Sequence, residues 1–203
     1  MPQPVGLLAL QGDFERHRQA LARAGRETLP VRRQDELARV GSLVIPGGES
    51  TTLSRLIDRG GLRAPLLQFA RDGKPILGTC AGLIMLSSGL VGERDRAWHG
   101  VQPLGLLDVQ VQRNGYGRQV DSFTETLDLA DDLAAGGPCG AVYIRAPRIV
   151  EIGPQAEVIA RRPDGEVVGV RQGHLVGLTF HPELADDPRF HALLDRAPRP
   201  VRP

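Results

Sequence analysis

The sequence predicts an α/β fold, with a doubly wound, mostly parallel sheet, flanking helices and added antiparallel strands in the second half. Three observations lead to this prediction. Up to about residue 90, short apolar runs alternate with amphipathic segments, the order that gives parallel strands joined by right-handed crossovers. Beyond residue 104, strand-like segments and turns dominate, which is typical of hairpins. The 203 residues, 41% hydrophobic and 24% charged, match a globular protein with a sizeable core.

The first half supplies the predicted parallel strands and their helices. Asp13 is placed to cap the first helix, and Gly25 to end it. The face of that helix expected to turn inward contains Phe14, His17, Leu21 and Ala24. The predicted strands are VGLLAL, RETLPV, SLVIP and PILG. The predicted helices are FERHRQALARAG, DELARV, residues 51–59, residues 64–71 and AGLIMLSSGL.

The second half is predicted to add antiparallel strands. These strands are LGLLDVQVQRN, GAVYIRAP, AEVIARR, EVVGVRQ and LVGLTF, with RPDGE and QGH as hairpin turns. A short helix is expected near residues 188–196, and the polar segment GERDRAWHGVQP reads as a surface loop. We expect residues 1–196 to form one domain and residues 197–203 a flexible tail.

Charge and cysteine content exclude several classes of function. A net charge of +1 and 4% aromatic residues give no basis for binding nucleic acid or a membrane surface. Two cysteines, Cys80 and Cys139, form neither a disulfide framework nor a zinc motif. The N-terminus lacks the pattern of a signal peptide, and no stretch is apolar enough to span a bilayer. We therefore expect a cytoplasmic protein without a metal.

The stretch Gly78-Thr79-Cys80-Ala81-Gly82 follows a predicted buried strand and opens a helix. This arrangement has the form of a nucleophile elbow, in which glycines permit a strained turn and close packing of strand and helix. The helix N-terminus would lower the pKa of the Cys80 thiol, and the Ala81 N–H would help to form an oxyanion hole. The competing interpretation is a buried structural cysteine, which is the one we favour for Cys139.

A cysteine nucleophile requires a histidine base, and His181 has the most suitable setting. It follows the strand LVGLTF directly and precedes Pro182, which favours an extended backbone. Residues two apart in an extended segment point the same way, so Glu183 would hold one imidazole nitrogen while the other faces Cys80. Alone, His-Pro-Glu is a weak signal that is better explained as a strand-end histidine with a solvated glutamate. Together with a cysteine elbow, in a fold that gathers strand ends, it favours a catalytic role. His17 reads as part of an amphipathic helix, and His99, His174 and His191 lack an acidic neighbour at a strand end.

These residues resemble the class I glutamine amidotransferases and, more closely, the glutaminase subunits of the two-component pyridoxal 5′-phosphate synthase. The resemblance covers about residues 5–195. It is carried by GLLALQGDFERH, LVIPGGESTTLSRLI, GKPILGTCAGLIML, GLLDVQVQRNGYGRQVDSF, YIRAPRI and FHPEL. It implies the flavodoxin-like amidotransferase fold, with no cofactor for the glutaminase.

The resemblance also implies a role for each matching residue. Cys80 would attack the amide of L-glutamine, His181 would transfer the proton and Glu183 would orient His181. The backbone N–H groups of Gly48 and Ala81 would form the oxyanion hole. The glutamine contacts would come from Gly48, Glu49, Ser50, Arg113, Ile144 and Arg145. Gln11 and Gly12 match a family position near the active site. Ammonia would pass to a synthase subunit, in a hetero-oligomer, that makes pyridoxal 5′-phosphate from ribose 5-phosphate and glyceraldehyde 3-phosphate.

The residues themselves support part of this assignment and leave alternatives open. An arginine suits the carboxylate of a free amino acid and Glu49 its ammonium group, although PGGES also fits a loop in which Ser50 or Thr51 caps a helix. The alternative functions are the glutaminase of another class I amidotransferase, such as imidazole glycerol phosphate synthase, a non-catalytic binding module, and a flavodoxin-like cysteine hydrolase. The intact cysteine, histidine and glutamate argue against the binding module, and the GGES loop with His-Pro-Glu argues against the hydrolase.

Overall fold

The computed structural model describes residues 3–92, 100–115, 123–185 and 187–196. The strands of the described residues are β1 Val5–Leu8, β2 Thr28–Val31, β3 Ser42–Ile45, β4 Ile76–Thr79, β5 Ser87–Val91, β6 Leu107–Gln112, β7 Phe123–Leu129, β8 Cys139–Tyr143, β9 Arg148–Ile152, β10 Glu157–Arg161, β11 Val167–Gln172 and β12 Leu175–Leu178. The helices are α1 Phe14–Arg23, α2 Gln34–Leu37, α3 Ser50–Arg59, α4 Arg63–Arg71, α5 Ala81–Leu86 and α6 Asp131–Ala134, with 3₁₀ helices Pro182–Leu184 and His191–Asp195.

Within the described ranges, nine strands form one sheet in the order β2-β1-β3-β4-β12-β11-β10-β7-β8. The first five strands in this order are parallel, and the remaining pairings are antiparallel. The fold class predicted from the sequence is therefore confirmed. The last strand in the chain order, β12, lies beside β4, so the segments that follow these two strands emerge at the same edge of the sheet.

Strand alternation divides the core between the two faces of the sheet. On β3, Leu43 and Ile45 pack into one apolar cluster and Val44 into the other. Successive side chains of a strand point to opposite faces, which is why a fully buried parallel strand reads as a continuous apolar run. Helices α3, α4 and α5 contribute to the first cluster, and α1 and the His191–Asp195 helix to the second.

The predicted N-terminal cap of helix α1 is confirmed, but one residue predicted to lie on its buried face is exposed. The Asp13 carboxylate accepts the N–H of Arg16 at 3.3 Å, as predicted. His17 and Leu21 are buried, whereas Ala24 is exposed, so its predicted place on the inner face is wrong. The reason is that the helix ends at Arg23 and the chain turns at Gly25, whose φ is +71°.

The predicted helix AGLIMLSSGL is wrong in its second part. The helix ends at Leu86, and residues from Ser87 onward form β5 in a three-stranded sheet of order β5-β6-β9. The Ser87 hydroxyl donates to the carbonyl groups of Ile84 and Gly89, an alternative to helical hydrogen bonding that serine readily adopts. The prediction also missed β7, whose outer face of Thr124, Thr126 and Asp128 weakens the apolar signal, and β9, in which only Ile149 is buried.

The segment 92–103 is only partly the surface loop that the sequence predicts. Residues 93–99 lie outside the described residues, but Val101 is fully buried in the core. The Arg63 guanidinium donates to the carbonyl groups of Gln102 and Pro103, which fastens this end of the segment to α4. Residues 197–203, the predicted tail, also lie outside the described residues. Among the helices that the structure describes, none combines the length and the apolar character that crossing a bilayer requires.

Candidate active site

Cys80 occupies a strained turn between β4 and α5. Its φ of 50° and ψ of −104° lie outside the regions that residues with a side chain prefer, and such strain costs on the order of 1–3 kcal/mol. Its N–H donates to the Leu178 carbonyl on β12 at 2.8 Å, and the side chain is largely buried. A Cβ on Gly82 would overlap the backbone of Ile45, so the elbow can pack against β3 only with glycine there.

His181 lies just beyond the end of β12, where its imidazole is hydrogen-bonded to Glu183 and faces the same Gly47 backbone as Cys80. Nδ1 pairs with Glu183 Oε1 at 2.7 Å, and the ring interacts electrostatically with the Cys80 side chain. Burial lowers the pKa of His181, but the interactions with Cys80 and Glu183 outweigh it and raise the pKa to about 10. The site therefore favours the protonated imidazole.

Glu183 is almost fully buried, and its carboxylate is nevertheless held in the charged form. Burial raises its pKa, but the histidines His17 and His181 outweigh burial, so that the pKa lies below its usual value. Glu183 belongs to the 3₁₀ helix Pro182–Leu184, not to an extended segment as the sequence suggests. The contact with His181 forms because the turn folds the carboxylate back toward Nδ1.

The loop after β3 brings its backbone close to the reacting groups. A Cβ on Gly47 would lie 2.5 Å from Cε1 of His181 and 3.3 Å from Cβ of Cys80, so both side chains face this backbone. The Gln11 side-chain oxygen accepts the N–H of Glu49 at 2.9 Å. Gln11 therefore fixes the loop, which explains the position near the active site that the sequence resemblance gives it.

These residues surround one pocket of about 310 Å³. Nine of the ten residues that the sequence analysis selected line it, and the exception is Ala81, the first residue of α5. The nine are Cys80, His181, Glu183, Gly48, Glu49, Ser50, Arg113, Ile144 and Arg145. The N–H of the first helical residue has no partner within its own helix, so the Ala81 backbone is suited to binding an anion.

Charged groups of both signs meet on the wall of the pocket. Nη2 of Arg113 lies 3.6 Å from Oε1 of Glu49 and donates to Thr51 Oγ1 at 3.2 Å. The Glu49 carboxylate accepts the N–H groups of Thr51 and Thr52 at 3.0 Å and 2.6 Å. Glu49, not Ser50 or Thr51, is therefore the cap of α3, and these bonds hold its pKa below the usual value although burial opposes them.

Known proteins match this chain over almost its whole length. The defining pattern of the SNO glutamine amidotransferase family matches residues 7–197. The chain belongs to this family. The chain is 50% identical over 192 residues to the "Pyridoxal 5'-phosphate synthase subunit PdxT" of Acidothermus cellulolyticus, a match that covers 93% of this chain and 90% of the relative. It is 45% identical over 187 residues to the protein of the same name from Corynebacterium jeikeium, with 92% of each chain covered.

Solved structures agree with this assignment. A crystal structure described as a glutamine amidotransferase superposes with a TM-score of 0.84 at 41% identity, covering 94% of this chain and 96% of that one. A chain of the PurLQS structure from Thermotoga maritima has a TM-score of 0.71 at 18% identity, covering 95% and 97%, and shows the shared fold only. The chain is thus an amidotransferase, an enzyme, with the fold that the sequence predicts.

Two features of this amidotransferase site escaped the sequence analysis. Asn114 and Arg145 line the pocket with φ of 50° and 46°, and Cys80 is the other residue besides glycine with positive φ in the described part of the chain. The concentration of strained residues at one pocket is typical of a functional site. The second feature is His17, which lies against Glu183 and which periodicity places only on the inner face of α1.

The described residues contain no cluster of histidine, cysteine and carboxylate side chains that could hold a metal ion.

Proposed function

We propose that the chain is the glutaminase subunit of pyridoxal 5′-phosphate synthase and that Cys80, His181 and Glu183 carry out its reaction. The observation that carries the proposal is the imidazole of His181, which is hydrogen-bonded to Glu183 and faces the same Gly47 backbone as Cys80, with all three side chains on the wall of one pocket. The name shared by its relatives supplies the biosynthetic context.

In the first half of the reaction, Cys80 has already given its proton to His181, and its thiolate sulfur attacks the side-chain amide carbon of L-glutamine. The oxygen of that amide becomes an oxyanion, and the backbone N–H groups of Gly48 and Ala81 stabilise it. His181, held in the protonated form, gives its proton to the departing nitrogen. The C–N bond breaks, ammonia leaves and a glutamyl thioester of Cys80 remains.

In the second half, His181 is neutral and accepts a proton from a water molecule that attacks the thioester carbon. The C–S bond breaks, glutamate leaves and the proton stays on His181, which restores the pair. Glu183 keeps the carboxylate form throughout. It holds the Nδ1–H tautomer of His181, so that the other ring nitrogen faces Cys80 and the substrate.

The charged wall of the pocket accounts for the choice of a free amino acid. The α-carboxylate of glutamine fits Arg113 or Arg145, because a guanidinium binds a carboxylate bidentately. The α-ammonium group fits Glu49, which is half-exposed in the pocket. Ser50 and Ile144 complete the contacts with the substrate side chain. The arrangement selects a molecule with both charges and a side-chain amide within reach of Cys80.

The proposal includes a partner. Ammonia released in the pocket passes to a synthase subunit in a hetero-oligomer, and this subunit builds pyridoxal 5′-phosphate from ribose 5-phosphate and glyceraldehyde 3-phosphate. We propose that the glutaminase is one domain over residues 1–196. We also propose that it acts in the cytoplasm, a compartment that keeps thiols such as that of Cys80 reduced.

The test measures glutamate release from glutamine by the purified chain with and without the cognate synthase subunit. Wild type is expected to release glutamate faster with the synthase, and Cys80→Ala to release none. Cys139→Ala is the matched control, because Cys139 lies on β8, is not among the residues that line the pocket, and its removal leaves the triad intact. Absence of hydrolysis in the wild-type complex, or persistent hydrolysis in Cys80→Ala, would refute the proposed function.

A further inference from the structure

Glu183 has a second histidine beside it, contributed by α1. His17 is fully buried, and its Nε2 lies 3.3 Å from Oε2 of Glu183, the carboxylate oxygen that does not bind His181. The other ring nitrogen of His17, Nδ1, lies 3.0 Å from Nε2 of His191. The four side chains His181, Glu183, His17 and His191 thus form a continuous buried row that leads from Cys80 into the core between α1 and the last 3₁₀ helix.

The row has one consistent arrangement of protons. If His191 donates its Nε2–H to Nδ1 of His17, the proton of neutral His17 is on Nε2, which lies 3.3 Å from Glu183 Oε2 and 3.3 Å from the Thr79 hydroxyl. The opposite arrangement turns a lone pair of His17 toward a buried carboxylate. It also puts the proton of His191 on Nδ1, which is buried and has no partner in the described part of the chain. Both consequences are unfavourable, so the first arrangement holds.

Charge supports the same assignment. Burial lowers the pKa of His17, and it lowers the pKa of His191 to about 3, so both rings are neutral at physiological pH. The groups that face Glu183 are His17 from α1 and His181 from its own turn, with Cys80 beyond His181. Asp13, Arg23 and Asp187 act on the buried histidines from outside the row. Glu183 therefore meets one protonated and one neutral imidazole.

We infer that His17, held in its donor tautomer by His191, is a positioning residue that fixes the second oxygen of Glu183 and thereby orients the imidazole of His181. The inference rests on the proposed function of the site. In the described residues, Oε2 is buried and makes no hydrogen bond, and Nε2 of His17 lies 3.3 Å from it, near enough to donate after a small shift of either side chain. Hydrogen bonds of catalytic groups are often long in the absence of substrate and tighten in the reacting complex.

The test compares two amide substitutions at one position. In His17→Gln the side-chain nitrogen reaches the place of Nε2 and still donates to Glu183. In His17→Asn the amide reaches only the place of Nδ1, so it keeps a partner for His191 and leaves Oε2 without a donor. His174→Asn is the control, because His174 also loses one hydrogen bond, from its Nε2 to the Ala70 carbonyl, at the opposite edge of the sheet.

Glutamate release by each variant is measured in complex with the synthase as a function of pH. We expect His17→Asn to lower kcat roughly 10- to 100-fold with little change in KM, and His17→Gln to restore most of it. The acid limb of kcat should move to higher pH in His17→Asn alone, because a carboxylate that has lost a donor binds its proton more tightly. The His174→Asn control should keep the wild-type profile. Equal kcat and equal acid limbs in the Asn and Gln variants would overturn the inference.

The design separates this inference from the proposed function. If wild type releases no glutamate, the proposed function fails. The positioning role of His17 is then tested by the alkylation of Cys80 with iodoacetamide, a reaction that needs no glutamine. The alkylation rate depends on the pairing of Cys80 with His181, so its pH profile should again differ between His17→Asn and His17→Gln. Identical alkylation profiles in the two variants would contradict the positioning role.

Discussion

Replacing Gly47 by alanine tests whether the loop after β3 sets the position of the His181 imidazole. The added Cβ would lie 2.5 Å from Cε1 of His181 and 3.3 Å from Cβ of Cys80. Carbon atoms in contact prefer about 3.5–4.0 Å, so the imidazole must move by roughly 1 Å. A displacement of that size at a reacting group costs on the order of 100-fold in rate, which is our expectation for kcat of Gly47→Ala.

The assay is glutamate release in the complex with the synthase, with the melting temperature of each variant measured in parallel. Gly140→Ala is the matched control, because a Cβ there meets no atom within 4 Å. We expect the control to keep the wild-type kcat. Gly47→Ala should keep a nearly native melting temperature, because its backbone conformation is open to alanine and only the imidazole has to shift. A wild-type kcat in a folded Gly47→Ala enzyme would refute the reasoning.

Four further outcomes are expected. Glu183→Gln should lower kcat on the order of 10²- to 10⁴-fold without weakening glutamine binding, because an amide no longer stabilises the protonated imidazole; kcat and KM from steady-state assays check this. Iodoacetamide should label Cys80 and not Cys139 in the native protein, since burial and Asp187 raise the pKa of Cys139 to about 12; peptide mapping decides it. The unfolded chain binds a proton at His191 below about pH 6.5, whereas burial lowers the pKa in the folded protein to about 3, so stability from this residue is lost as pH falls through that window. Urea unfolding at pH 7 and pH 5 should therefore show a smaller loss in His191→Phe than in wild type. Arg171→Met should destabilise the fold by about 2 kcal/mol, because Arg171 is buried and donates to Asp132 and Glu157; urea unfolding measures it, and an unchanged midpoint would contradict it.

Much of the fold follows from local patterns in the sequence. The apolar runs that predict β1, β3, β4 and β12 are buried on both faces of the sheet, and such strands carry the strongest signal. Strands at the margin of the core were harder to find: β7 and β9 were missed because each has only one buried residue, Leu127 in β7 and Ile149 in β9. The sequence predicted the end of α5 too late because apolar residues continue into β5. The helix ends where the hydroxyl of Ser87 takes the place of helical hydrogen bonds.

The candidate site was likewise predictable only in part. The Cys80 elbow and the His181-Pro182-Glu183 segment are short motifs that can be recognised from residue types and spacing. The pairing of His181 with Glu183 involves residues only two apart in the chain. The sequence alone could not assign the cap of α3 to Glu49, because a carboxylate that folds back on its own helix and one that points to solvent have the same neighbours in the chain.

The sequence by itself determined the fold class, the family and the candidate residues of the site, because each is written in segments of a few consecutive residues. The tertiary structure decided which of those segments meet. The pairing of β4 with β12 brings Cys80 beside His181, and the packing of α1 against the last 3₁₀ helix joins His17 to His191, 174 residues away. The helical spacing of apolar residues predicts that His17 lies on the inner face of α1. Only the packed structure shows that it is buried against the carboxylate of Glu183, since such a contact depends on the positions of elements that no local pattern relates.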